Sequence, residues 1–183
     1  MEKLAEKGGY IVVCPLGYRM NSRYGAPSLG GMLTVVDGTR AARSEEDVLN
    51  VTALVMREYG GDPSRLYLMG NSMGMTGTLY LAQKYQGRWC AIAPSDGPPW
   101  PDFPVSRLKY LSGALFLNGE KDQLALSEVN RALAERVRAA GVDTRFLEIP
   151  NGDHPSAWYF ALAEIFDFFD AHRCASSPAV RPQ

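Results

Sequence analysis

The chain is short of histidine and cysteine, with two and three in 183 residues. It also lacks blocks of one charge sign and long apolar runs. Nineteen basic against twenty acidic residues leave a formal charge of −1, and neither sign is gathered where it would suit a phosphate backbone or an anionic bilayer. Nucleic acid and membrane surfaces are therefore excluded as expected partners. No segment is long and apolar enough to span a bilayer, and the opening MEKLAEKGG mixes both charge signs without the apolar core of a signal peptide. An unexported, cytoplasmic protein is the expectation. Cys14, Cys90 and Cys174 are odd in number, and two of them lie in apolar runs, IVVC and WCAIA, where a reduced thiol packs as a small hydrophobe. That composition suits a reducing compartment. Internal repeats and low-complexity tracts are also missing, so the length fits one domain, residues 1–174, with a disordered tail over 175–183.

What is present reads as strands alternating with helices. The β-branched run Tyr10 to Cys14 predicts a buried strand ending at Pro15. A long Gly-, Pro- and Ser-rich loop to Arg43 then suits the wall of a binding site. Ser44-Glu45-Glu46-Asp47 resembles a capping box that opens a helix running to Gly60. Strands are expected at Arg65 to Met69, Trp89 to Ala93, Ala114 to Asn118 and Thr144 to Ile149. Helices are expected at Met73 to Tyr85, Ser127 to Ala140 and Ser156 to His172. Several strands are apolar on both faces, which implies a mostly parallel sheet with helices on both sides, a three-layer α/β sandwich.

One turn carries chemistry. LYLMGNSMGM passes from strand to helix through Gly70-Asn71-Ser72-Met73-Gly74. A strand that turns this sharply and pushes one side chain outward needs small residues on both sides of it, and Gly70 and Gly74 are expected to meet that need. Ser72 would then stand at a strand's C-terminal end and a helix's N-terminus, where developing negative charge is favoured. A serine hydroxyl is a weak nucleophile without a base. Of the two histidines, His154 follows the last strand on a Pro-, Asn- and Gly-containing loop at the same sheet edge, whereas His172 ends the last helix and would complement its dipole. An acid is expected after an intervening strand, and Asp122 in NGEKD lies just past Ala114 to Asn118. Glu120 is the second choice for that role, and Asp153 is too close in sequence to reach the imidazole.

In that order, PLGYR…YG (Pro15 to Gly25), DPSRLYLMGNSMG (Asp62 to Gly74), NGEKD (Asn118 to Asp122) and GDH…AWY (Gly152 to Tyr159) resemble the motifs of α/β-hydrolase serine esterases. The likeness is to the bacterial polyhydroxybutyrate-depolymerase and feruloyl-esterase-like group, and it runs over about residues 8 to 172. The resemblance implies hydrolysis of small acyl or aryl esters without cofactor or metal, with Ser72 as nucleophile, His154 as base then acid and Asp122 as its partner. It also implies the Met73 backbone N–H as one oxyanion donor.

The resemblance brings a departure with it. Members of the fold carry an earlier strand and a His-Gly loop that supplies the second oxyanion donor, and this chain begins after that point. Tyr10 to Cys14 could pair directly with Leu66 to Met69, another subunit could lend a strand, or the chain is part of a longer one. The first repair is favoured, and it would put Leu16 or Gly17 beside Ser72 as the replacement donor. Tyr18, Tyr24, Trp100 and Trp158 are candidates to line a substrate pocket, although Trp158 suits helix packing at least as well. A peptidase or thioesterase with the same residues, or an inactive binding module, remains open. An exposed first strand would also invite a homodimer through the sheet edge.

Overall fold

The computed structural model describes residues 1–17, 22–27, 37–98 and 100–174. Among these residues four strands, β1 (Tyr67–Asn71), β2 (Ala91–Ser95), β3 (Gly113–Gly119) and β4 (Thr144–Ile149), pair in sequence order in one parallel sheet. Among the described residues six α-helices accompany them: α1 (Glu2–Gly8), α2 (Gly38–Tyr59), α3 (Met73–Lys84), α4 (Ser127–Ala139), α5 (Ala157–Phe160) and α6 (Leu162–Ala171). Each strand returns to the next through a helix or a long crossover, as parallel pairing demands.

The two faces of the sheet can be read off alternate residues. Ile92, Ala114 and Phe116 pack with Met75 and Leu79 of α3, Leu133 and Val137 of α4 and Val48 of α2. Their neighbours Ala91, Ala93, Leu115 and Leu117 face the other way, onto Ala157, Ile165, Phe168 and Phe169 of α5 and α6. The central strands β2 and β3 are buried along their whole length, which is why they are continuous apolar runs rather than alternating ones. Helices therefore cover both faces, giving the expected three-layer α/β sandwich.

Tyr10 to Cys14 does not form the expected strand. Tyr10 is anchored: its ring packs on Phe166 at 4.8 Å and Tyr67 at 6.1 Å, and its hydroxyl donates to Asp170 at 2.7 Å. The guanidinium of Arg65 covers the same ring and bonds the carbonyl of Gly8. Beyond this anchor Ile11, Val12 and Val13 are 52%, 41% and 37% exposed, and no ladder forms with Leu66 to Met69. A β-branched run is a strand only when a partner satisfies its backbone. The first of the three repairs is thus overturned, and β1 is an edge strand among the described residues.

Other boundaries also move. Helix α2 begins at Gly38, capped by Asp37, whose side chain accepts from Arg40 N at 3.1 Å, so the preceding loop is shorter than expected. The expected capping box lies within this helix instead: Ser44 and Glu45 are on its buried face, and Glu45 receives the Tyr80 and Tyr85 hydroxyls and the Lys84 ammonium. The last helix is broken at Ala161 into α5 and α6, and α1, which the sequence reading did not anticipate, packs Ala5 against Leu162 and Phe166 of α6. Cys90 and Cys174 form a disulfide, and Cys14 is an exposed free thiol. The expectation of buried reduced thiols is corrected, and with it goes the ground for a reducing compartment. Among the described residues no helix is long and apolar enough to cross a membrane. The expected tail, 175–183, lies outside the described residues.

Candidate active site

Ser72 joins β1 to α3 with φ 56 and ψ −113, a conformation that L-residues rarely adopt. Its N–H donates to the Ser95 carbonyl at the end of β2, at 2.9 Å. The tight turn explains Gly70: a Cβ there would lie 2.4 Å from the backbone carbonyl carbon and oxygen of Gly74. Gly74 itself has room for a side chain, since a Cβ at that position meets nothing within 4 Å. Only one of the two glycines is therefore demanded by space.

The loop between β4 and α5 brings His154 over the turn. His154 Nε2 lies 2.9 Å from Ser72 Oγ, and Nδ1 lies 2.7 Å from Asp122 Oδ2. With Nδ1 protonated, the imidazole donates to Asp122 and accepts from the serine hydroxyl. Asp122 stands in the turn after β3 with its carboxyl fully shielded from solvent, and its Oδ1 accepts from Leu124 N at 2.7 Å and Ala125 N at 3.0 Å. Burial opposes ionisation of Asp122. The Ala125 N–H, the His154 ring, the Leu124 N–H and the neighbouring Asp96 side chain outweigh that burial and hold the carboxyl below the ordinary range.

The two loops are laced together by backbone. Lys121 N donates to Gly152 O at 2.8 Å and Glu120 N to Ile149 O at 3.0 Å. They approach so closely that a Cβ on Gly119 would sit 2.5 Å from the Gly152 carbonyl oxygen. Glu120 accepts from Asn151 N and Asp153 bonds Ser156 at the start of α5, so both rival acids are engaged in loop structure away from the imidazole. His172 is buried, bonded to Phe168 O and Asp143 and stacked on the Phe168 ring at 3.9 Å, a structural role.

Met73 is the first residue of α3, a position whose N–H has no intrahelical acceptor, so it is open to a negatively charged oxygen. Gly17 does come to this end of α3: a Cβ on it would lie 2.8 Å from Met73 Cε and from the Tyr24 hydroxyl. Leu16 N, however, donates to Asp47 Oδ2 at 2.9 Å, which removes it as an oxyanion donor in this arrangement. Tyr18 lies outside the described residues. Tyr24 packs on α3 closely enough to require glycine at position 77. Trp100 stacks edge-on against Phe103 at 5.0 Å and lines a cavity of about 440 Å³ with Val129, Leu133 and Arg136, none of which belongs to the Ser72 array. Trp158 donates to Pro155 O and packs beside Leu162 and Phe166, so helix packing is its observed role.

Two residues escaped the sequence reading. Asn71 donates from its side-chain amide to the His154 carbonyl at 3.0 Å, tying the histidine loop to the serine turn. Asp96 is wholly buried at the end of β2, accepting from Gly119 N at 2.7 Å and from the Ser95 hydroxyl. Its signal was the SDG that follows an apolar strand, a carboxylate at the same sheet edge as Asp122. Among the described residues no group of three or more His, Cys, Asp or Glu converges to hold a metal ion.

The class that this architecture defines is the α/β-hydrolase fold, shared with esterases over part of the chain. A thermostable esterase superposes with a TM-score of 0.62 at 21% identity, over 72% of this chain and 37% of its own. FphF, a fluorophosphonate-binding serine hydrolase of Staphylococcus aureus, gives 0.67 at 17% identity over 92% and 74%. SOBER1 of Arabidopsis thaliana gives 0.57 at 22% identity over 75% and 67%. The chain thus spans little more than a third of the first of these proteins, and identities this low speak to the fold alone. No protein-family model matches the sequence, and no curated protein matches it significantly.

Proposed function

We propose that the chain is a serine carboxylic-ester hydrolase acting on small acyl or aryl esters. The observation that carries this reading is the unbroken hydrogen-bonded line from Ser72 Oγ through His154 to a shielded Asp122 carboxylate. Ser72 Oγ attacks the ester carbonyl carbon while His154 Nε2 takes its proton. Negative charge gathers on the carbonyl oxygen, towards the Met73 N–H and the positive end of α3. The intermediate collapses, the alcohol leaves with the proton from His154, and the acyl group remains on Ser72. Water then attacks, activated by the same imidazole, and releases the acid. Asp122 keeps the ring in the tautomer that can accept at Nε2 and stabilises its charged form.

Hydrolysis of p-nitrophenyl butyrate by the purified chain beside Ser72→Ala tests the reading. Turnover that vanishes with the hydroxyl supports it; equal turnover in both removes Ser72 from the reaction. A second reading, a binding module without catalysis, is favoured by one observation: the N–H of Leu16 is already bonded to Asp47. Loss of one oxyanion donor costs about a hundred- to a thousandfold in rate. Covalent labelling of Ser72 by a fluorophosphonate separates the two readings, and thioester and amide substrates run in parallel tell an esterase from a thioesterase or peptidase.

A further inference from the structure

We propose that Asn71 is a positioning residue for this array: its side-chain amide, bonded to the main-chain carbonyl of His154, holds the imidazole over the Ser72 hydroxyl. The inference rests on the esterase reading for its catalytic consequence.

Strand alternation sets the direction of this side chain. Leu68 packs with α2, α3 and α4, whereas Tyr67 and Met69 pack with α5 and α6. The next position of β1 on that second face is Asn71, so its side chain points to the side where the histidine loop runs into α5. There Nδ2 donates to His154 O at 3.0 Å. A carbonyl oxygen only accepts, so the amide nitrogen is the end that meets it. Asn71 also directly precedes Ser72. One side chain therefore joins the backbone of the base to the strand end that carries the nucleophile.

The histidine loop has several holds on its other side, where Lys121 N, Glu120 N and the Glu120 carboxylate bond its backbone to the acid loop. Towards the serine turn, among the described residues, the hydrogen bonds that reach it are the Asn71 amide and the Nε2–Oγ bond itself. That second bond is lost whenever Ser72 is acylated, because Oγ is then bound to the acyl carbon. The Asn71 bond takes no part in the chemistry and persists through the cycle. Stability alone does not explain an asparagine here. Its Oδ1 is shielded from solvent and meets no donor among the described residues, and a buried acceptor left unpaired is a cost. Asparagine is also depleted in strands. An apolar residue of the same shape would pack as well, and what asparagine adds is the Nδ2 donor.

The test uses the full chain with Asn71→Leu, which keeps the shape of the side chain and removes the donor; should that variant fail to fold, Asn71→Ala is read in the same way. Imidazole NMR reports on both histidines of the chain at once. His172, bonded to Phe168 O and Asp143 beside Gly113 at the opposite edge of the sheet, is the internal reference. In the variant the His154 signals are expected to shift, with faster exchange of its Nδ1 proton with water, while those of His172 stay in place. On p-nitrophenyl butyrate kcat should fall about ten- to a hundredfold with KM within about twofold of wild type. Unchanged His154 signals or a wild-type kcat in the folded variant overturns the proposal. A lowered urea midpoint with both histidines shifted together also overturns it, because Asn71 would then be a general support of the fold. Absence of both turnover and fluorophosphonate labelling in wild type would instead sink the esterase reading, and the imidazole signals would still decide whether Asn71 holds His154.

Discussion

Asp96 and Asp122 shift in opposite directions and so govern stability in different pH windows. Asp96 is raised from 3.8 to about 6, so between those values the folded chain binds more protons than the unfolded one. Stability from this group is full below the unfolded value and is lost as pH rises through the folded one. At about 1.4 kcal/mol per pKa unit, its ionisation removes on the order of 3 kcal/mol by neutral pH. Asp122 is lowered, so its contribution is present above the unfolded value and is lost as pH falls through the folded one, in the acid range below about 3.8. Urea unfolding from pH 4 to 7 should show wild type losing stability relative to Asp96→Asn as pH rises. Parallel curves for the two proteins would contradict the assignment of the raised acid.

At the scale of elements, what could be read in the sequence follows from where information is local. The strand–serine–helix turn was legible because Gly70 has a steric reason that does not depend on the rest of the chain. The four strands and the helices from α3 onward were legible because burial writes itself as apolar runs and helical spacing. Tyr10 to Cys14 was misread because its β-branched composition matches a strand, while being one depends on a partner edge that no window of sequence displays. Ser44 to Asp47 matched a cap by pattern, but Asp37 supplies the cap and Glu45 faces Tyr80, Tyr85 and Lys84 on a distant element. The Ser72, His154 and Asp122 positions were readable as motifs, whereas the bonds of Asn71 to His154 and of Asp96 to Gly119 join residues far apart in the chain and appear only after folding. The two elbow glycines give a direct check. Gly70→Ala should cost about 1–3 kcal/mol or more through its clash with the Gly74 backbone. Gly74→Ala should be neutral, or stabilising by up to about 1 kcal/mol as a helical glycine is replaced. Urea midpoints of the two variants would show equal losses only if the turn were not this tight.

At the scale of the whole molecule, two features lie outside the site. The Cys90–Cys174 disulfide ties the segment after α6 to the start of β2 across 84 residues, a long loop whose closure restricts the unfolded chain. Replacing both cysteines by alanine should lower stability by about 2–4 kcal/mol, read as a shifted urea midpoint. The second feature is the open edge of β1. Leu66 O and Ser72 N both bond towards β2, so by strand alternation the backbone groups of Tyr67, Met69 and Asn71 point away from the sheet. None of these has a strand partner among the described residues, and β1 is only half-buried where β2 is fully buried. A row of strand groups without a strand partner among the described residues is a template for pairing. A second copy of the chain is the partner proposed for it. Light scattering should therefore report a mass that climbs towards a dimer with concentration. Met69→Pro removes an outward N–H without touching the β1–β2 ladder, a substitution that edge strands tolerate. It should return the mass to that of a monomer while leaving the melting transition cooperative. A wild-type chain that stays monomeric at every concentration would mean that the β1 edge does not pair with a second copy.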